Sequence, residues 1–393
     1  MTEATFDGMW RAISEVGRDP GGGYTRDAWS PPDLELREWF RQEAARRGLD
    51  AHEDRNGNMW AWWGDPDTPG GGVVTGSHLD SVRQGGAYDG PLGVVSAFAA
   101  LDDLRARGVR PRRPVAVACF TDEEGARFGV PCIGSRLLTG ALDPGRARAL
   151  TGDDGGTLAE AMRAAGRDPG GLGRDETTLR RVGVFVELHV EQGRALVHEE
   201  APVGVGRAIW PHGRWRLEFR GRADHAGTTR LADRDDPMLP FAETVLAARE
   251  AARRHGVVAT VGKVRVRPGS ANAIPGRVTA WLDARGPEEG PVRALVAELA
   301  PRAAEVACES WTPLVEFDPA LRDRLAAALG GVPVLPTGAG HDAGVLASAG
   351  VPSAMVYVRN PTGISHSPEE HAEPDDCRAG VAALARVVEE LCT

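Results

Sequence analysis

The chain has 393 residues, with 46 Lys and Arg against 56 Asp and Glu for a net charge of −10, and 42% of its residues are hydrophobic. That balance excludes a disordered or fibrous protein, and the length, more than twice the roughly 150 residues of one domain, points to two domains. An acidic chain with one lysine, Lys263, and no unmatched basic cluster argues against nucleic-acid or membrane partners and for a small-molecule substrate.

Taken in chain order, Gly72–Ser77, Pro114–Thr121 and Val182–His189 are apolar runs of the kind that form strands buried on both faces. Between the first two, Gly90–Arg107 carries Val94, Phe98, Leu101 and Leu104 at helical spacing, so strand, helix and strand build a largely parallel sheet. From Trp215 the rhythm changes. The patterns predict a strand at Trp215–Arg220, a helix at Pro237–Arg254, strands at Val257–Val266 and Arg277–Arg285, a helix at Pro291–Cys308 and a strand at Leu314–Phe317. That βαββαβ order is the ferredoxin-like unit. A helix at Leu321–Leu329 and a buried-type strand at Val351–Val358 follow. The expected fold is therefore α/β: a mostly parallel-sheet domain over 1–210 and 319–393, interrupted by an inserted ferredoxin-like domain over 211–318.

The odd, scattered cysteines Cys119, Cys132, Cys308, Cys377 and Cys392 imply neither a disulfide framework nor a thiolate zinc site. The N-terminus, MTEATFDGMW, is acidic where a signal peptide would be basic, and the apolar runs are too short to span a membrane. A cytoplasmic protein is the expectation.

Ligands of open α/β sheets collect beyond the carboxyl ends of the strands. There this sequence places His78 and Asp80, then Asp89 in the turn GGAYDGPLG, then Glu123 and Glu124, then His189, and finally His366 after Gly363-Ile364-Ser365. Gathering Asp89, Glu123 and Glu124 away from bulk water is unfavourable unless cations offset their charge. One or two divalent metals meet that need. Histidine and carboxylate without thiolate suit zinc, manganese, cobalt or nickel. Two metals can share a carboxylate and activate a bridging water. Of the adjacent glutamates, which point in different directions, Glu124 is expected to bind metal and Glu123 to act as base. Asp80 is expected to accept the other ring N–H of His78 and fix its tautomer. His341, in GAGHDAG, is open between a structural and a functional role.

These residues resemble the dinuclear metal aminoacylase and carboxypeptidase-like superfamily, in its carbamoylase and allantoate amidohydrolase branch. GSHLDSV, GAYDGPLGV, TDEEGARFG, ELHVEQG, ADHAGTT, SANAIPG, GAGHDA and GISHSPEE carry the likeness, in order, over most of the chain. The resemblance implies metal ligation by His78, a bridging Asp89, Glu124, His189 and His366, with Glu123 as general base and two divalent ions per subunit, zinc first. It also implies a substrate clamp of Gln192, His225, Asn272 and Arg285, in which His225 steadies the developing oxyanion and Arg285 grips a carboxylate. The inserted domain is expected to act as a lid and to mediate homodimerisation.

The implied activity is hydrolysis of a linear C–N amide bond in an N-carbamoyl-L-amino acid or allantoate. The alternatives are an N-formyl- or N-acyl-L-glutamate hydrolase and a non-catalytic binding homologue. Departures from the branch pattern are Trp60, Trp62 and Trp63, Arg230 after HAGTT, and Arg359-Asn360 before GISH. Guanidinium groups facing the site would favour a substrate with a second carboxylate.

Overall fold

The computed structural model describes residues 5–393, and its contacts divide the chain into two units. One comprises the chain up to Arg207 together with Glu316–Thr393; the other is Ala208–Val315. Among the described residues no helix is long and apolar enough to cross a membrane.

The larger unit is built on a mixed sheet. Its central strands are, in spatial order, Val115–Phe120, Gly72–His78, Val182–Val190 and Ser353–Val358, all parallel. Met59–Trp63 and Val203–Ile209 flank them antiparallel. Every residue of Gly72–His78, Val115–Phe120 and Ser353–Val358 is buried, which is why these segments read as unbroken apolar runs instead of alternating ones. The helix Pro91–Ala106 is equally enclosed, with Val94, Phe98, Leu101 and Leu104 fully buried. The register aligns His78 with Phe120, Gly76 with Glu187 and His189 with Tyr357. All four parallel strands therefore end on one rim.

Trp60 and Trp62 are buried in this core, and Trp60 meets Phe120 edge-on with ring centres 5.7 Å apart. Both are packing residues, and the partly buried Trp63 packs against the hydrophobic core of this unit with the Arg105 guanidinium 4.7 Å from its ring.

The smaller unit holds an antiparallel sheet in the order Glu305–Thr312, His212–Arg220, Arg277–Arg285, Val258–Arg267. The helices Met238–His255 and Glu289–Leu299 lie between strands in sequence, and Ala248, Val292 and Leu295 pack with Leu217, Val278, Ala280 and Leu282 in one core. A two-residue ribbon, Asp224–His225 against Ala273–Ile274, stands apart from this sheet.

Here one expectation fails. The helix expected to reach Cys308 ends at Leu299, followed by a single turn Ala300–Arg302 and the strand Glu305–Thr312. Pro301 lacks the N–H that would continue the helix, and the open edge of His212–Arg220 captures the residues beyond it, pairing Cys308 with Trp215. The strand expected over Leu314–Phe317 shrinks to Val315–Glu316 and joins the larger sheet.

Candidate metal centre

His78 is the last residue of its strand and fully buried. The turn carrying Asp89 reaches it because Gly90 follows: with φ at 84°, a Cβ there would lie 2.4 Å from the His78 ring. Only glycine permits both the left-handed backbone and that approach. Glu123 and Glu124 lie in the turn after Val115–Phe120, and Asp80 braces them, its carboxylate accepting the Glu123 N–H at 3.2 Å and the Glu124 N–H at 3.1 Å. Asp122, Cys132 and His366 all adopt positive φ, between 53° and 56°. Such backbone costs of order 1–3 kcal/mol per residue and is kept where neighbours fix it, characteristically at functional sites.

Two groups of ligand-type atoms share one carboxylate. His78, Asp89 and His189 form one, and Asp89, Glu124 and His366 the other, with the atoms of each group within 4.8 Å of one another. Asp89 Oδ1 lies 3.5 Å from His78 Nε2 and 3.0 Å from His189 Nε2, while Oδ2 lies 3.4 Å from His366 Nε2. His366 Nε2 is also 3.4 Å from Glu124 Oε2.

The ring orientations fit a cation. His78 Nδ1 faces the Asp80 carbonyl at 3.0 Å and His189 Nδ1 faces the Val190 carbonyl at 2.8 Å. A neutral ring must place its proton on Nδ1 to satisfy these carbonyls, which leaves the Nε2 lone pair aimed at Asp89. Lone pair against carboxylate is repulsive without a positive charge between them. His78 Nε2, His189 Nε2 and Glu124 Oε1 are also buried without a hydrogen-bond partner. A set of imidazole nitrogens and carboxylate oxygens suits zinc or another divalent transition metal.

The electrostatics carry the same message. Burial alone would lower the His78 pKa, but Asp80, Asp89 and Glu123 overcome it and raise it well above the usual value. Burial would raise Asp89, yet His189, His366 and His78 pull it well below the carboxylate range. Burial and the Asp89 charge push Glu124 up to about 7. For His366, burial is outweighed by Asp89 and Glu124, and the ring rises to about 9. Without metal, protons stand in for the cations.

Glu123 sits beside this centre with its two oxygens divided. Oε1 accepts from the Cys132 thiol at 3.4 Å, while Oε2 lies 3.8 Å from His78 Nε2. Its pKa is raised well above normal, first by burial and then, against the opposing His78, by Asp342 and Glu124.

Other expected residues fall in different places. Asp80 reaches His78 through its backbone carbonyl, since its carboxylate, 3.6 Å from the ring, is committed to the Glu123 and Glu124 N–H groups. Gln192 donates to Asp89 Oδ2 at 2.8 Å and to Ser365 Oγ at 3.1 Å, so its amide is tied to the bridging carboxylate. The buried His341 packs edge-on to His189, ring centres 4.5 Å apart, outside both ligand groups. Arg359 forms a two-pronged pair with Asp376 at 2.8 Å, and Arg230 pairs with Asp233 at 2.7 Å. Both guanidinium groups are already engaged. In the smaller unit, His225 and Asn272 are exposed neighbours on the ribbon, where the Ala226 N–H donates to the Asn272 carbonyl at 3.0 Å. Arg285 closes its strand opposite His212 and pairs with Asp283 at 2.7 Å.

Sequence reasoning passed over Glu370, Ser365 and Cys132. Glu370 accepts the N–H groups of Tyr88 and Asp89, and Ser365 Oγ lies 3.3 Å from Asp89 Oδ2. Glu370 stands inside the GISHSPEE motif, but its burial and its contacts with a turn some 280 residues earlier leave no mark in the sequence.

Residues 74–390 match the model of peptidase family M20/M25/M40. The chain is 36% identical to an N-carbamoyl-L-amino acid amidohydrolase of Geobacillus stearothermophilus, covering 98% of each. It is 32% identical to the allantoate amidohydrolase of Escherichia coli (strain K12), over 96% of this chain and 95% of that one. Among solved structures, AtUAH in complex with (S)-hydroxyglycine superposes with a TM-score of 0.88 at 28% identity, covering 98% of this chain and 97% of the other.

Proposed function

The chain belongs to peptidase family M20/M25/M40, and from that membership we propose that it is an amidohydrolase that cleaves the linear C–N amide bond of a ureido substrate, an N-carbamoyl-L-amino acid or allantoate. The observation that carries this reading is the pair of ligand groups meeting at Asp89 with Glu123 beside them. The relatives named as carbamoyl amino acid and allantoate amidohydrolases, matched along nearly their whole length, supply the substrate class.

His78, Asp89 and His189 would hold one divalent ion, and Asp89, Glu124 and His366 a second. Such ions polarise a carbonyl and lower the pKa of water toward about 7. Glu123 takes the proton of the attacking water on Oε2, the oxygen not tied to Cys132, and returns it to the leaving nitrogen. Burial raises its pKa above the usual carboxylate range, the direction that favours a group acting as a proton acceptor. For a carbamoyl amino acid, water adds to the ureido carbon, the C–N bond breaks, and the free amine leaves with carbon dioxide and ammonia.

Gln192, His225, Asn272 and Arg285 are the proposed substrate clamp. His225 and Asn272 lie five residues outside the paired ends Arg220 and Arg277, whereas Arg285 closes the far end of Arg277–Arg285. Eight steps of strand separate those ends by about 26 Å. That separation supports a clamp completed by a second copy of the chain. The reading includes a homodimer, formed through the ferredoxin-like insert acting as lid and dimerisation domain. Leu239 and Leu246, 66% and 68% exposed on the helix Met238–His255, are the apolar surface it would cover.

A panel of N-carbamoyl, N-formyl and N-acetyl L-amino acids with allantoate, assayed for ammonia, tests the reading. Ammonia from a carbamoyl amino acid or allantoate is expected. Formate or acetate release without ammonia from any ureido substrate would replace it with an N-acyl amino acid hydrolase.

A further inference from the structure

Glu370 is a buried carboxylate, 5% exposed, that no step of the proposed chemistry uses. Its Oε1 accepts the N–H groups of Tyr88 at 2.8 Å and Asp89 at 2.9 Å, from a turn some 280 residues earlier in the chain. Its Oε2 accepts from Ser365 Oγ at 3.2 Å, and that hydroxyl also lies 3.3 Å from Asp89 Oδ2. The backbone of Glu370 closes the same loop, its N–H donating to the Ser367 carbonyl at 3.0 Å. One side chain thus ties the turn that carries Asp89 to the loop that carries His366. Gly86 leaves room for it, since a Cβ at that position would come within 2.4 Å of the Glu370 carboxyl.

Burying a further carboxylate beside Asp89, Glu123 and Glu124 is costly unless hydrogen bonds or opposite charge compensate it. Charge-assisted bonds to two adjacent N–H groups fix the Asp89 backbone, and so the direction of its side chain. The two ligand groups differ in their need for that support. His78 and His189 sit on strands, each with Nδ1 held by a backbone carbonyl. Glu124 and His366 sit outside any strand or helix, and His366 Nδ1 has no such carbonyl contact among the described hydrogen bonds.

We propose that Glu370 is a positioning residue that locks Asp89 and the His366 loop into one unit, and so sets the affinity of the cation position formed by Asp89, Glu124 and His366. This rests on the two-cation reading above. Residues that orient metal ligands in this way are worth about 10–100-fold in metal affinity.

The test is calorimetric titration of zinc into the metal-stripped full chain, comparing the natural sequence with Glu370→Ala and Glu370→Gln. The natural protein is expected to take up two ions. Glu370→Ala is expected to keep one tight ion and bind the second about 10–100-fold more weakly. Glu370→Gln, whose amide oxygen still accepts both N–H groups, is expected to recover most of that affinity. Circular dichroism melting establishes that the variants fold. Should Glu370→Ala not fold, Ser365→Ala cuts the link to the His366 loop alone, and a weaker second ion is again expected. Two ions bound with unchanged affinity by the variant that folds would overturn the proposal. Fewer than two ions on the natural sequence would sink the two-cation reading itself, and this proposal with it.

Discussion

Metal uptake should release protons, and the structure says from where. In the metal-free protein His366 titrates near 9, raised by Asp89 and Glu124 against its burial, and Glu124 titrates near 7. A cation at the Asp89, Glu124 and His366 position must displace the His366 proton at any pH below about 9. Affinity for this ion therefore rises with pH through neutrality and levels off above His366's pKa. At pH 7 the uncorrected proton competition is about 100-fold. The ring is 50% exposed, so solvent screening trims the expected gain between pH 7 and pH 9 to about tenfold or somewhat more. Calorimetry in two buffers of different ionisation enthalpy counts the protons directly, and about one or more should leave per second ion near pH 7. Uptake with no proton release and no pH dependence across this range would refute the electrostatics assigned to the site.

Three further outcomes are expected. Glu123→Gln should keep both ions while kcat falls by about 10²–10⁴, the usual contribution of general acid–base catalysis, and near-normal turnover would remove Glu123 from the role of base. Gly90→Ala forces a methyl into the His78 ring at a backbone φ of 84°, so it should lower the melting temperature and loosen the ion bound by His78 and His189; an unaltered melt with intact metal content would contradict that packing. Arg285→Ala and Asn272→Ala should each cripple turnover without loss of metal, and mixing the two after dissociation and reassociation should restore about a quarter of the sites, because half the dimers are mixed and each carries one intact clamp. No recovery on mixing would count against a clamp shared between copies.

How far the sequence discloses this architecture depends on the range of the physics involved. Unbroken apolar runs such as Val115–Phe120 announce strands buried on both faces, and a glycine-flanked Asp89 before an apolar helix announces a tight turn at a strand end. Those are local signals. Apolar spacing runs on through Pro291–Cys308 as if in one helix, whereas Pro301 and the open sheet edge that takes Cys308 end it, and that edge is a long-range feature. Arg359 invites a functional reading beside GISH, yet its partner Asp376 lies 17 residues on, and the pair becomes visible only when the C-terminal helix packs back. Glu370 and Cys132 act through contacts between separate loops, Glu370 with Tyr88 and Asp89, Cys132 with Glu123. Periodicity and motif spacing carry no record of such contacts.

The account turns on two cations meeting at one carboxylate. Anomalous diffraction from crystals grown with zinc, recorded on both sides of the zinc absorption edge, locates them directly. It should give two peaks per chain, one against His78 and His189, the other against Glu124 and His366, both touching Asp89. A single peak, or two that do not share Asp89, would contradict it.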